Sequence, residues 1–207
     1  MSAPSSTPRC STFRILTALR SSSADWGSCE RAATQMTTGF LSGLSWGDPD
    51  ANVVHVGTGE FAVGDHPTIL MTPALGSCVG VAVWDAFRHR GGLAHVMLPT
   101  PSEANADGNR DRFASVAIPR MVEEVAPGAA SRRLVAKLVG GAAMFRADSS
   151  LSNVGERNLE EVRHQLGLLR IPILAEDTGG SHARTVELRL DTGVLVVRSY
   201  MYGIREL

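Results

Sequence analysis

Leu75-Gly76-Ser77-Cys78-Val79-Gly80-Val81-Ala82-Val83-Trp84-Asp85 and, a few residues on, Gly91-Gly92-Leu93-Ala94-His95-Val96-Met97-Leu98-Pro99 form the stretch on which the reading of this chain turns. The valine-rich run from Cys78 to Trp84 marks a buried strand. The run from Leu93 to Leu98, stopped by Pro99, marks a second. The short connection through Asp85-Ala86-Phe87-Arg88-His89-Arg90 makes the two neighbours in a hairpin. Cys78 and His95 then lie within reach of each other.

Working outward, Val53-Val54-His55-Val56 is a short strand running into the Gly57-Thr58-Gly59 turn, and Thr68 to Thr72 is another apolar run. Residues 101–111 read as a polar loop. Arg112 to Val125 has helical periodicity, with Pro119 expected to kink or shorten it. Leu134 to Val139 is a strand ending in Gly140-Gly141. Glu156 to Leu166 is a helix whose apolar stripe is Leu159, Val162 and Leu166, with Gly167 placed as its C-cap. Ile171 to Ala175 is a short strand. Arg184 to Leu190 and Val194 to Tyr200 flank a hairpin loop at Asp191-Thr192-Gly193. Strands outnumber helices without regular βαβ alternation, so the fold class is α+β.

Composition limits what such a chain does. Its 207 residues are 43% hydrophobic and 20% charged, enough for a core without disulfide staples. A net charge of −1 argues against a nucleic-acid binder that relies on a basic surface. No apolar run approaches the roughly 20 residues that cross a bilayer, so no membrane insertion is expected. Cys10, Cys29 and Cys78 are too few and too oddly spaced for a disulfide framework or a zinc ribbon, which points to a reduced, intracellular chain. Residues 1–50 are expected to be a disordered N-terminal extension, and residues 51–207 one compact domain. The first 35 residues are rich in Ser, Thr and Arg, have only Asp25 and Glu30 as acids, and show no periodicity. No continuous apolar segment leads to a signal-peptide cleavage site there. The same composition also fits an organellar transit peptide, or a start placed upstream of a true one near Met36.

Two features carry chemistry. Gly76-Ser77 is a small-residue turn that delivers Cys78 to the start of a strand, with backbone N–H groups able to face a developing oxyanion. Gly91-Gly92 opens the strand that carries His95. A thiol beside an imidazole can form a nucleophilic thiolate–imidazolium pair. The competing reading is structural, because free Cys is commonly buried and a lone His in an apolar strand is often a core residue. The six histidines, His55, His66, His89, His95, His164 and His182, have no metal-ligand spacing. The Gly57-Thr58-Gly59 and Gly140-Gly141 turns match no phosphate loop.

Taken in order, these blocks resemble the CheD family of chemoreceptor glutamine deamidases. The resemblance runs through residues 56–63, 75–85, 91–99, 137–145, 171–180 and the terminal hairpin, and Gly155-Glu156-Arg157-Asn158 fits the family's G-x-R-N turn before a helix. It covers roughly residues 52–200. It implies a β-sandwich-like core flanked by helices, similar to that of Cys-His toxin deamidases. It also implies a cytoplasmic hydrolase that converts particular glutamines of methyl-accepting chemotaxis receptors to glutamate. The family's nucleophile falls on Cys78, its base on His95 and its third member on Thr72, with Gly76 and Ser77 at the oxyanion turn. Neither metal nor organic cofactor is implied, and a CheC-like phosphatase is the implied partner. Pro73-Ala74 and the first 50 residues depart from the family pattern. Two other functions are compatible with the residues: a Cys-His hydrolase acting on another amide, and a non-catalytic adaptor docking on receptors or on a CheC-like phosphatase.

Overall fold

The computed structural model describes residues 52–102, 108–128, 133–144 and 153–207. The expectation for residues 1–50, and with it Cys10 and Cys29, lies outside the described residues. Ten strands and two α-helices are present among those described. In chain order they are β1 (Val53–His55), β2 (Phe61–Asp65), β3 (Ile69–Leu75), β4 (Val79–Asp85), β5 (Arg90–Val96), α1 (Ala114–Val125), β6 (Leu134–Gly140), α2 (Val154–Leu168), β7 (Ile173–Thr178), β8 (Arg184–Arg189), β9 (Leu195–Ser199) and β10 (Gly203–Glu206).

The strands form two five-stranded sheets, ordered β1-β3-β8-β9-β10 and β2-β5-β4-β6-β7. Each is mixed: β1–β3 and β6–β7 pair in parallel, and the other pairs are antiparallel. β4 lies at the centre of its sheet and is covered on both faces, so its sequence is continuously apolar instead of alternating. Val79, Val81 and Val83 pack with Ile118 and Met121 of α1 and with Val162 and Leu166 of α2. On the opposite face, Ala82 and Leu93 pack with Leu70, Val186, Leu188, Leu195 and Val197 of the other sheet. The result is three layers, sheet on sheet with helices on one outer face. This is the α+β, sandwich-like arrangement expected.

Three local readings are adjusted by the structure. α1 is not cut short at Pro119 and continues to Val125. Proline removes one ladder hydrogen bond there, while the buried stripe Ala114, Ala117, Ile118, Met121, Val122 and Val125 keeps the helix against the sheet. Gly167 lies inside α2 and does not cap it. The cap is a Schellman turn in which Arg170, at φ 57°, takes the left-handed position usually given to glycine. Arg170 N–H donates to Gly167 C=O at 3.0 Å and Ile171 N–H to Leu166 C=O at 3.0 Å, with Leu166 and Ile171 both in the helix-side core. Gly155-Glu156-Arg157-Asn158 belongs to the opening turns of α2, not to a turn before it.

β3 contains the irregularity that shapes the site. Thr72 pairs with Val186 and Leu75 with Arg184, so two residues, Pro73 and Ala74, stand opposite the single Thr185. In an unbroken strand, residues three apart face opposite sides. The bulge adds one residue, with Ala74 at φ 58°, and lets Thr72 and Leu75 both point into the molecule, where each is fully buried. Pro73, which has no N–H to give to a ladder, sits in the bulge and is exposed. The departure from the family pattern is thereby absorbed without moving Thr72 out of the core.

Candidate active site

Cys78 is the last residue before β4, and His95 is the penultimate residue of β5. The register pairs Gly80 with His95 and Val79 with Val96. His95 therefore projects from the same face as Gly80, and alternation puts Cys78 on that face two residues away. Cys78 and His95 are thus a diagonal cross-strand pair. Cα atoms of such pairs lie roughly 7–8 Å apart, within reach of long side chains. That face looks towards the first sheet, from which Thr72 approaches.

Thr72 and His95 meet across the sandwich. Thr72 Oγ1 is 2.7 Å from His95 Nδ1 and donates to Val56 C=O at 2.8 Å. A hydroxyl has one proton, and a carbonyl only accepts. With that proton committed to Val56, Thr72 accepts from His95, so Nδ1 carries the ring proton. Nε2 is left as the basic nitrogen. It is buried and has no hydrogen-bond partner among the described residues. An unsatisfied buried nitrogen costs stability and calls for an explanation. The explanation is its position on the face that carries Cys78. In the resting structure Nε2 and the thiol share that face without a hydrogen bond between them, and catalytic contacts of this kind often tighten only when substrate is bound.

Burial acts on both groups. Burial raises the Cys78 thiol above its ordinary value, outweighing a smaller opposite pull from its own backbone N–H. Burial lowers His95. Both shifts favour the neutral thiol and the neutral imidazole.

Gly76 and Ser77 act through their carbonyls. Gly76 C=O accepts Ala142 N–H at 2.8 Å, and Cys78 C=O accepts Gly141 N–H at 2.8 Å. The Gly140-Gly141 turn thus holds the Gly76–Cys78 turn from β6. Gly140 has φ 106°, and a Cβ there would lie 2.3 Å from Cys78 O, so only glycine fits. Ser77 C=O accepts Asn158 Nδ2 at 3.0 Å. Among the described residues, no protein carbonyl takes the Cys78 N–H. It remains available to an oxyanion.

Asn158 and Gly155 were not assigned roles by sequence reasoning. Their i, i+3 spacing on one helix face was the available signal. A Cβ on Gly155 would lie 2.6 Å from Gly141 O and 2.8 Å from Ala142 O, so glycine lets α2 close on the Gly140-Gly141 turn. One turn later, Asn158 arrives beneath Ser77. Among the described residues, no group of three or more His, Cys, Asp or Glu side chains is arranged to hold a metal ion. Among the same residues, no helix is long and apolar enough to cross a membrane.

The model of the CheD chemotactic sensory transduction family matches residues 97–199. A protein of Caldanaerobacter subterraneus named "Probable chemoreceptor glutamine deamidase CheD" is 38% identical over 159 residues, 75% of this chain and 98% of the relative. The chain belongs to the CheD family. CheD relatives from Geobacter metallireducens and Moorella thermoacetica are 41% and 45% identical, over 76% and 70% of this chain and 99% and 90% of their own length. The CheD family model begins at Met97, past Thr72, Cys78 and His95.

Proposed function

We propose that residues 51–207 form a protein-glutamine deamidase that converts glutamine side chains of methyl-accepting chemotaxis receptors to glutamate in the cytoplasm, with residues 1–50 as an extension. The observation that carries this reading is the Thr72–His95 hydrogen bond, which leaves a buried, unpartnered Nε2 on the face of Cys78. The names of the relatives supply the substrate class.

In the reaction, Cys78 Sγ attacks the carboxamide carbon as His95 Nε2 takes the thiol proton. The Cys78 N–H stabilises the oxyanion. The tetrahedral intermediate collapses, Nε2 returns the proton to the leaving nitrogen, and ammonia departs. Water, deprotonated by Nε2, hydrolyses the thioester to the glutamate carboxylate and frees the thiol. Thr72 keeps the ring in the Nδ1–H tautomer throughout. In this role the enzyme serves chemotactic adaptation, because the new glutamates can be methylated. A CheC-like phosphatase is its proposed partner.

The test is mass analysis of receptor cytoplasmic fragments before and after incubation. Gln-to-Glu conversion with ammonia release is expected, and Cys78→Ala abolishes both. Full activity of Cys78→Ala sinks the nucleophile assignment, and absence of conversion by the wild type on any receptor fragment favours a docking role instead.

A further inference from the structure

We infer that Asn158 is a positioning residue for the oxyanion donor of this site. Its side chain is fully buried on α2. Its amide nitrogen donates to Ser77 C=O at 3.0 Å and to Met97 C=O at 2.8 Å, so both amide hydrogens are used. The orientation of the amide is fixed by chemistry, because both partners are acceptors.

The first contact determines where the Cys78 N–H points. Ser77 C=O and Cys78 N–H belong to one peptide unit, which is planar and trans, so the two bonds point in opposite directions. Pinning the oxygen on Asn158 turns the N–H away from α2 and holds it there. Hydrogen bonding at the oxygen also polarises the unit and strengthens the N–H as a donor. The second contact reaches Met97, two residues past His95 and next to β5. One amide thus clamps the two chain segments where the β4–β5 ladder ends, one beside the nucleophile and one beside the base. Asparagine suits the place because it offers two donors from a short neutral group. A lysine or arginine there would bury charge beside a thiol that must become an anion.

The inference rests on the roles proposed for the Cys78 thiol and N–H, and its test does not use the receptor substrate. Acylation of Cys78 by p-nitrophenyl acetate passes through a tetrahedral oxyanion. Alkylation by iodoacetamide is a direct displacement with no oxyanion. Both rates are read at Cys78 by peptide mass analysis at one pH, in wild type and in Asn158→Ala. The expected result is a fall of about 10- to 100-fold in the ratio of acylation to alkylation, with alkylation itself changed by less than about threefold. A general loosening of the fold moves both rates together. Should Asn158→Ala fail to fold by circular dichroism, Asn158→Ser supplies the same ratio with a smaller loss of packing. A ratio within about twofold of wild type in the folded variant overturns the inference, as does a wild-type Cys78 that is alkylated but never acylated. Failure of the wild type to deamidate a receptor fragment, measured in parallel, counts against the deamidase reading and leaves this ratio unaffected.

Discussion

Replacing Thr72 by valine removes one oxygen and little volume, and so isolates what the hydroxyl does. That oxygen accepts from His95 Nδ1 at 2.7 Å and donates to Val56 C=O at 2.8 Å, at a position with no solvent exposure. Each buried partner left unsatisfied costs about 1–3 kcal/mol, and the added methyl returns about 0.8 kcal/mol of apolar burial. The net loss is about 1–5 kcal/mol. For a domain of this size that lowers Tm by roughly 2–4 °C per kcal/mol. The effect on rate comes from the tautomer. An acceptor at Nδ1 favours the Nδ1–H form by about 1–1.5 kcal/mol, or roughly five- to tenfold. Losing that preference and the ring's anchor together lowers kcat about 10- to 100-fold, with KM little changed. Initial rates of ammonia release across substrate concentration measure kcat and KM, and nitrogen-15 shifts of His95 report the tautomer directly. Thr72→Ser, which keeps the hydroxyl, retains activity within about threefold. A Thr72→Val enzyme with kcat within about twofold of wild type, its His95 still protonated at Nδ1, refutes the reasoning.

The pH dependence follows from burial of both partners. His95 is lowered, so its contribution to stability is present above the ordinary imidazole value of roughly 6.5 and is lost as pH falls through the folded value. Cys78 is raised, so its contribution is present below the ordinary thiol value of roughly 8.5 and is lost as pH rises through the folded value. The acid limb of kcat/KM should accordingly lie below about pH 6.5, and an acid limb above neutrality contradicts a desolvated imidazole. Gly155→Ala places a methyl against the backbone of Gly141 and Ala142 and should cost about 1–3 kcal/mol by denaturant melting; an unchanged midpoint shows that α2 does not need this approach. Asp177→Ala strips the carboxylate from the buried Arg184 guanidinium, 2.8 Å away, and should cost about 3–5 kcal/mol, checked by thermal unfolding.

What the sequence made legible was local. The β4–β5 hairpin could be read because one continuous apolar run, a short polar link and a second run stopped by Pro99 sit together in the chain. Cys78 and His95 followed from it. Thr72 came only from the family resemblance, because its bulged register depends on pairing with β8, more than a hundred residues later. β2 escaped notice because Phe61–Asp65 is only partly buried and carries a glycine, and β10 because all four of its residues are exposed. Periodicity reads burial: β10 has no buried face to report, and β2 packs Phe61 and Val63 only partly against the helix-side core. Asn158 stands in the G-x-R-N motif with nothing local to show its task. Its partners stand 81 and 61 residues away, and no local pattern encodes a contact made through tertiary packing. Arg170 in the left-handed position likewise defeats a rule that looks for glycine.

His95 and Thr72, hydrogen-bonded to each other, come from different sheets, and on the proposed reading this gives the site a built-in interlock. That bond crosses the seam, so a chain whose sheets have parted no longer makes it. On the deamidase reading, the chemistry therefore switches off before the molecule is fully unfolded. Glutamine is common on every protein surface, and a half-folded thiol enzyme free to edit it would damage its neighbours. On the same reading, copies whose layers have parted fall silent, and activity becomes a gauge of whether the two layers are seated.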